Sequence, residues 1–485
     1  MKMIRFIYIA LCCVGLLASC SPKPKDVTHT DSLPPLYPDY ADVTIPYNIA
    51  PLNFLLRNNA DAMEVKVNGQ SDSIKAYGSN EICFSETAWK RLLGKEAGRK
   101  LTVRVTVRVN GQWIAYHPFT WDVVKDKLDS YLSYRLIEPG YEVWSDIRIC
   151  ERNIENFDER ILADNNQLGN SCMNCHIYGN QKGDLTMFHL RGKDGGTILN
   201  RDGKMRKLKL KTGGMISPAV YGGFHPSGRF GVFSTNIIIP EFHSLGNKRM
   251  EVYDTASDLV VADFDANRML TSPLISDPNV FETFPVFSAD GKSIYFCSAK
   301  SVALPAEVKK LKYSLCRIAF DPVKRQFGTT VDTLVNARTT GKSVCFPRVS
   351  PDGKYILYTV ADYGTFPIWH RETDLQMMNL QTGVVNPLTI VNSNRSDTYH
   401  SWSSNSRWFV FASKRDNGQY GKPYFAYVDK NGKARKPFVL PQKHPSHYDE
   451  ILYSYNIPEL SRSKATFKAS DIEKIYAGKK AEEFR

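Results

Sequence analysis

The alternation of apolar and polar positions marks this chain as built from strands. Over 101–109 the run LTVRVTVRV places a leucine and valines on one face, with Arg104 and Arg108 on the other. That is the period-two signature of a strand buried on one side. Asn110-Gly111 follows, a pair suited to a two-residue hairpin turn, and leads into a second arm over 112–124. A shorter strand is read at 63–68, and one helix at 86–93 behind Ser85 as its N-cap. Together these elements make 41–125 a small β-sandwich-like domain.

A different pattern governs the second half. Four segments align: VYGGFHPSGRFGVFSTN from Val220, TFPVFSADGKSIYFCSA from Thr283, CFPRVSPDGKYILYTVA from Cys345 and TYHSWSSNSRWFVFASK from Thr398. Each runs from an aromatic-rich strand through a tight polar turn into a second β-rich strand. The turn residues Gly228, Gly291, Gly353 and Ser406 lie 63, 62 and 53 residues apart. Runs such as 250–254 and 375–380 supply a third strand. A single sheet of this kind cannot bury both faces, and radial stacking of several does so while leaving short edges. A further hairpin is read around Asn200–Lys204 (NRDGK).

The repeats resemble the FSPDGK units of TolB-like β-propellers over about 216–440. The resemblance implies an all-β chain with a TolB-like β-propeller of five to six blades over 183–444, preceded by the sandwich-like domain and by a haem-attachment segment at 126–182. That segment is mixed and aromatic, with a short helix expected at 156–163. Residues 445–485 leave the repeat and form a C-terminal extension, with a charged helical tail from about Ser470.

The N-terminus fixes the expected compartment. Lys2 and Arg5 precede an apolar run of twelve residues, 6–17, too short to span a bilayer but suited to a cleaved signal. Leu17-Ala18-Ser19-Cys20 resembles the bacterial lipobox, which implies a signal peptide at 1–19 and lipidation of Cys20. Several acyl chains on one cysteine anchor a protein stably. The expected location is the cell envelope, lipid-anchored, at the outer membrane facing the periplasm. The five prolines of 20–40 read as a stiff tether. Removing Lys2 and Arg5 lowers the formal charge from +13 to +11, which reads as an ordinary solvated basic surface, with attraction to an anionic membrane face or an acidic redox partner as the functional alternative and no nucleic-acid partner expected. Of ten cysteines, Cys83, Cys150, Cys297, Cys316 and Cys345 sit among apolar neighbours and read as buried core thiols.

One motif carries chemistry: Cys172-Met173-Asn174-Cys175-His176, a CxxCH. In a turn of helix, residues i and i+3 share a face, so both cysteines reach one porphyrin edge and the histidine lies beneath the ring. The expectation is one covalent haem c held by Cys172, Cys175 and His176, with His176 as axial ligand. A thioredoxin-like dithiol lacks its βαβ setting here, and a zinc site lacks two further close ligands. For the sixth ligand the candidates are His189 and Met187, which alternate along one expected strand, then His225 and His243. His225 stands where the other repeats have Ser288, Ser350 and Ser403, and also reads as a polar turn residue.

The order of lipobox, β-domain, CxxCH and propeller is similar to a group of exported Bacteroidetes lipoproteins. The expectation drawn from it is electron transfer or haem-based sensing, with the propeller docking a redox or envelope protein partner. The rivals are a haem enzyme with an open axial position and a TolB-like scaffold without catalysis.

Overall fold

The computed structural model describes residues 23–138, 146–192, 194–242, 250–478 and 480–485. The signal region, Cys20 and His243 lie outside them. The chain divides into two compact units, one of residues 1–125 with 441–450 and one of 126–440 with 451–485.

In the first unit the alternating strand extends over Arg99–Val109, and the helix over Glu86–Lys95 with Ser85 as its cap. The expected second hairpin arm splits into Gln112–Ala115 and Phe119–Val124. Part of the expected proline tether joins the sheets instead. Thr28–His29 pairs with 114–115, and Leu36–Tyr37 with 55–56. Trp89 and Trp121 meet edge to face at 5.4 Å in the core. Cys83 is exposed rather than buried, because in the pleat it follows the inward-facing Ile82.

Among the described residues the larger unit holds six sheets in succession, antiparallel except where Leu208 and Lys209 pair parallel with Glu482 and Glu483 at one outer edge. Their innermost strands are β1 (Met173–Tyr178), β2 (Ala219–Phe224), β3 (Val280–Phe287), β4 (Ser343–Val349), β5 (Asp397–Trp402) and β6 (Ser454–Ser461). Each innermost strand touches the next, and β6 touches β1, so the sheets form a closed ring. The architecture is that of a β-propeller.

The ring draws on more of the chain than the repeat suggests. Strand β6 pairs with Tyr131–Ile137, followed outward by Ile147–Asn153 and Glu159–Asp164. One sheet is thus made from both sides of the repeat region. The expected helix at 156–163 is replaced by a turn and the strand Glu159–Asp164, whose partner is the strand Ile147–Asn153. The segment expected to hold haem apart from the propeller supplies four of its strands. The C-terminal helix Ala469–Gly478 lays Ile472 and Ile475 into a cluster with Met173, Phe188 and Ile149.

The repeated turn has a local cause. Ser288 Oγ donates to Asp290 (2.6 Å) and accepts from the Ser293 N–H (3.0 Å), while Asp290 accepts from the Lys292 N–H (3.0 Å). Ser350, Asp352, Lys354 and Tyr355 repeat this arrangement. Gly228, Gly291, Gly353 and Ser406 all take positive φ, at 69°, 74°, 70° and 58°. Glycine meets this demand without strain, and a short polar residue tolerates it.

Candidate functional site: the channel lined by the innermost strands

Every sheet breaks register at the same level of its innermost strand. The shifts fall between Asn174 and Ile177, Ala219 and Tyr221, Thr283 and Val286, Cys345 and Arg348, Thr398 and His400, and opposite Ser133–Arg135 in β6. A bulge of this kind re-aims the side chains around it. Phe284, Phe346, Tyr399 and Ile457 occupy the bulges with φ of 50°, 50°, 45° and 52°. Left-handed backbone at bulky residues is uncommon and costs about 1–2 kcal/mol each.

The bulges build an aromatic layer. Phe284 lies 4.9 Å from Tyr221 and 4.0 Å from Phe346, and Phe346 meets Tyr399 edge to face at 4.5 Å. Over this layer opens a cavity of about 340 Å³, walled also by Phe366, Trp369, Arg135, Asn174, Lys414 and Asn456. Lys414 lies over the Trp369 ring at 5.1 Å. Arg135 donates to the Met173 carbonyl (3.1 Å) and to Asn174 Oδ1. Its Nε and the Asn456 Oδ1 are buried without a hydrogen-bond partner among the described residues. Such orphaned groups are expensive unless something else satisfies them.

The wall opposite is a projecting hairpin. The strands Phe230–Phe242 and Met250–Asp263 outrun their neighbours and place Ile238, Pro240, Met250 and Val252 on the cavity. Glu251 ties this hairpin to the turn Pro367–Trp369. Its carboxylate meets His370 Nε2 at 2.8 Å and accepts from the Tyr363 hydroxyl at 2.7 Å. His370 Nδ1 lies 3.1 Å from Glu372. Burial opposes the charge on His370, but the bonds to both carboxylates outweigh it and raise its pKa. Glu372 is likewise opposed by burial, yet His370 holds it down at about 2.

The CxxCH residues do not fit the haem expectation. From Met173 to His176 the motif lies in the extended strand β1, with Cys172 just before it, and not in a helical turn; the Cys175 side chain lies outside the described residues. His176 is 3% exposed, and both of its ring nitrogens are buried without a hydrogen-bond partner among the described residues. Burial, aided by the charge of Arg135, pushes its pKa down to about 4. His176 takes the position that Pro285, Pro347, His400 and Pro458 take in other innermost strands, one residue past the bulge. His400 is also buried and neutral, but its Nε2 donates to the Leu357 carbonyl of the adjacent sheet (2.9 Å), and burial with Arg348 lowers its pKa to about 3.

The remaining ligand candidates are occupied elsewhere. Met187 packs in an apolar cluster with Leu199, Leu208 and Phe233. His189 Nδ1 contacts Thr197 Oγ1 at 3.2 Å, and burial with Arg191 lowers its pKa to about 4. His225 accepts from the Ser227 N–H (3.0 Å) and packs against Phe287 at 4.9 Å, the turn role that Ser288 and Ser350 fill. Among the described residues no three His, Cys, Asp or Glu side chains assemble as a metal-holding group. The electron-carrier and haem-sensor expectation is corrected accordingly, because no metal-holding group is assembled among the described residues. Of the motif, Cys172 and Asn174 line the cavity, with Asn174 Nδ2 donating to Cys172 Sγ at 3.3 Å.

The bulge residues and Arg135 escaped the sequence reading. A signal was present: YGGFH, FPVFS, FPRVS, YHSWS and IPELS share one pattern of ring or aliphatic residue, spacer, variable residue and apolar residue, and CHIYG follows it with a cysteine in the first place.

The sequence matches no protein-family profile and no curated protein. Solved structures match it at low similarity. An oligogalacturonate lyase in complex with manganese is 12% identical, with a TM-score of 0.36, over 63% of this chain and 73% of that one. A DUF4784 family protein from Bacteroides caccae is 8% identical, with a TM-score of 0.32, over 72% and 94%. Prolyl oligopeptidase B from Galerina marginata is 11% identical, with a TM-score of 0.37, over 70% of this chain and 43% of that one. At this level of similarity the comparisons carry no argument, and the β-propeller rests on the closed ring of sheets.

Proposed function

We propose that this chain is a ligand-binding six-bladed β-propeller, a scaffold whose aromatic cavity receives a flat ring compound bearing a carboxylate. The observation that carries the reading is the pairing of strained aromatic residues with orphaned polar groups on one cavity wall. Strain at an observed backbone outlier persists where the surrounding structure serves a purpose. Here it turns Phe346 and Tyr399 toward a space of about 340 Å³, a size suited to a small molecule. The Arg135 Nε supplies a donor for the carboxylate, the Asn456 Oδ1 an acceptor for a ligand hydroxyl, and Lys414 a second cation. Anchoring of the chain to a membrane through Cys20 is part of the same proposal, and places this mouth at the cell envelope.

Three probes of one shape and different charge test the reading: benzoate, benzyl alcohol and benzylamine. A ligand at a hundred times its Kd stabilises by about 2.7 kcal/mol, which for a unit of about 350 residues is roughly 4 °C in Tm. Benzoate is expected to raise Tm and benzylamine to leave it unchanged, with the benzoate effect lost in Arg135→Gln. Equal shifts from all three probes refute it.

A further inference from the structure

Beyond the aromatic layer the same six strands line a second cavity of about 310 Å³. The residue two places past each bulge faces it, giving a ring of Ile177, Gly223, Val286, Arg348, Ser401 and Glu459. The ring is divided. Three consecutive sheets contribute Ile177, the bare backbone of Gly223 and Val286, an apolar arc with room left by the glycine. The next three contribute a guanidinium, a hydroxyl and a carboxyl.

The charged groups in this ring are not used on each other. Arg348 donates to the Pro347 carbonyl (3.0 Å), and no ion pair joins it to Glu459. Glu459 is 9% exposed and lines the cavity. Burial raises its pKa to about 7, with Arg348 as the opposing charge. A buried carboxyl in this state gains much from an arriving cation. Arg462 stands at the rim and adds a second guanidinium.

We propose that this mouth of the channel is a binding site for a small zwitterion of the α-amino-acid class. The ligand's ammonium group binds Glu459, its carboxylate binds Arg348 and Arg462, and an apolar side chain lies along Ile177 and Val286. Arg348 and Glu459 stand on sheets separated by the one that bears Ser401, and the proposed ligand carries its two charged groups on a single carbon. Neither a simple anion nor a simple cation satisfies both groups.

Calorimetric titration of the full chain with L-leucine tests the site, beside N-acetyl-L-leucine, which lacks the ammonium, and L-leucinamide, which lacks the carboxylate. Leucine is expected to bind saturably with one site per chain, and each blocked form at least about tenfold more weakly, the loss for an unmet charged hydrogen bond. Glu459→Gln is expected to weaken leucine by a similar factor with an unchanged circular dichroism spectrum. Arg462→Gln, at the exposed rim, is expected to weaken leucine while leaving leucinamide as it was. Binding of the blocked forms as tight as leucine, full affinity in Glu459→Gln, or no saturable heat at millimolar leucine overturns the proposal. The benzoate effect at the other cavity is independent of all these outcomes.

Discussion

The tie between Glu251 and His370 makes a quantitative prediction about the wall of the aromatic cavity. His370 is 1% exposed and Glu251 is 2% exposed, so solvent does not screen the pair. Replacing His370 by alanine leaves the buried Glu251 carboxylate without its cation, which costs about 3–5 kcal/mol. For a unit of about 350 residues that is roughly 4–7 °C in Tm. The sign of the pH dependence follows from the two shifts. A histidine whose pKa is raised by folding contributes stability that is complete below its unfolded value near 6.5 and lost as pH climbs through the folded value. Glu372, held at about 2, contributes stability that is present above its ordinary value of 4.5 and lost as pH falls through 2. Both contributions are therefore whole between about pH 4.5 and 6.5. Differential scanning calorimetry of wild type and His370→Ala at pH 5.5 and pH 9 reads the difference directly. The deficit is expected to be greatest at pH 5.5 and to shrink at pH 9, while His370→Gln, which keeps a donor, falls between the two proteins. A deficit of the same size at both pH values refutes the argument from charge.

Other substitutions probe the rest of the frame. His176→Ala and His400→Ala are expected to destabilise alike, by about 2–4 kcal/mol, since both empty a buried space between sheets. Because folding holds both imidazoles neutral, that contribution is present above pH 6.5 and fades as pH falls toward about 4 and 3, which urea unfolding at several pH values measures. Gly291→Ala places a methyl 2.0 Å from His225 Nε2, whereas at Gly353 nothing approaches closer than 3.4 Å. Thermal melting is expected to show Gly291→Ala clearly worse than Gly353→Ala, which bears only the left-handed penalty of about 1–2 kcal/mol. A thiol reagent on the folded protein, mapped by mass spectrometry, is expected to label Cys83 and Cys172 well before Cys150, Cys297, Cys316 and Cys345.

Local chemistry was readable in the sequence. The alternation of 101–109, the Ser85 cap and the Ser-x-Asp-Gly-Lys turns act over a few residues, and each folds as its pattern directs. The propeller class follows from repetition of those turns, because identical hairpins have few ways to cover their faces. The CxxCH shows the limit. Its residues suit a helical turn as well as a bulged strand, and nothing nearby in sequence chooses between them. Pairing of β1 with Leu185–Leu190 makes the choice, and it leaves the histidine buried. Likewise Cys83 follows Ile82 in a pleat, and only the packing of that pleat reveals which face is covered. Closure of the ring depends on Ser454–Ser461 meeting Tyr131–Ile137, strands more than 300 residues apart. No window of sequence holds both partners. The second cavity exists only once all six innermost strands stand in a ring, since each of them lends it residues, and the aromatic cavity likewise joins residues from several sheets. The sequence by itself determined the pieces and their turns. The tertiary structure alone decided which side chains face a shared space, because that depends on register between distant strands.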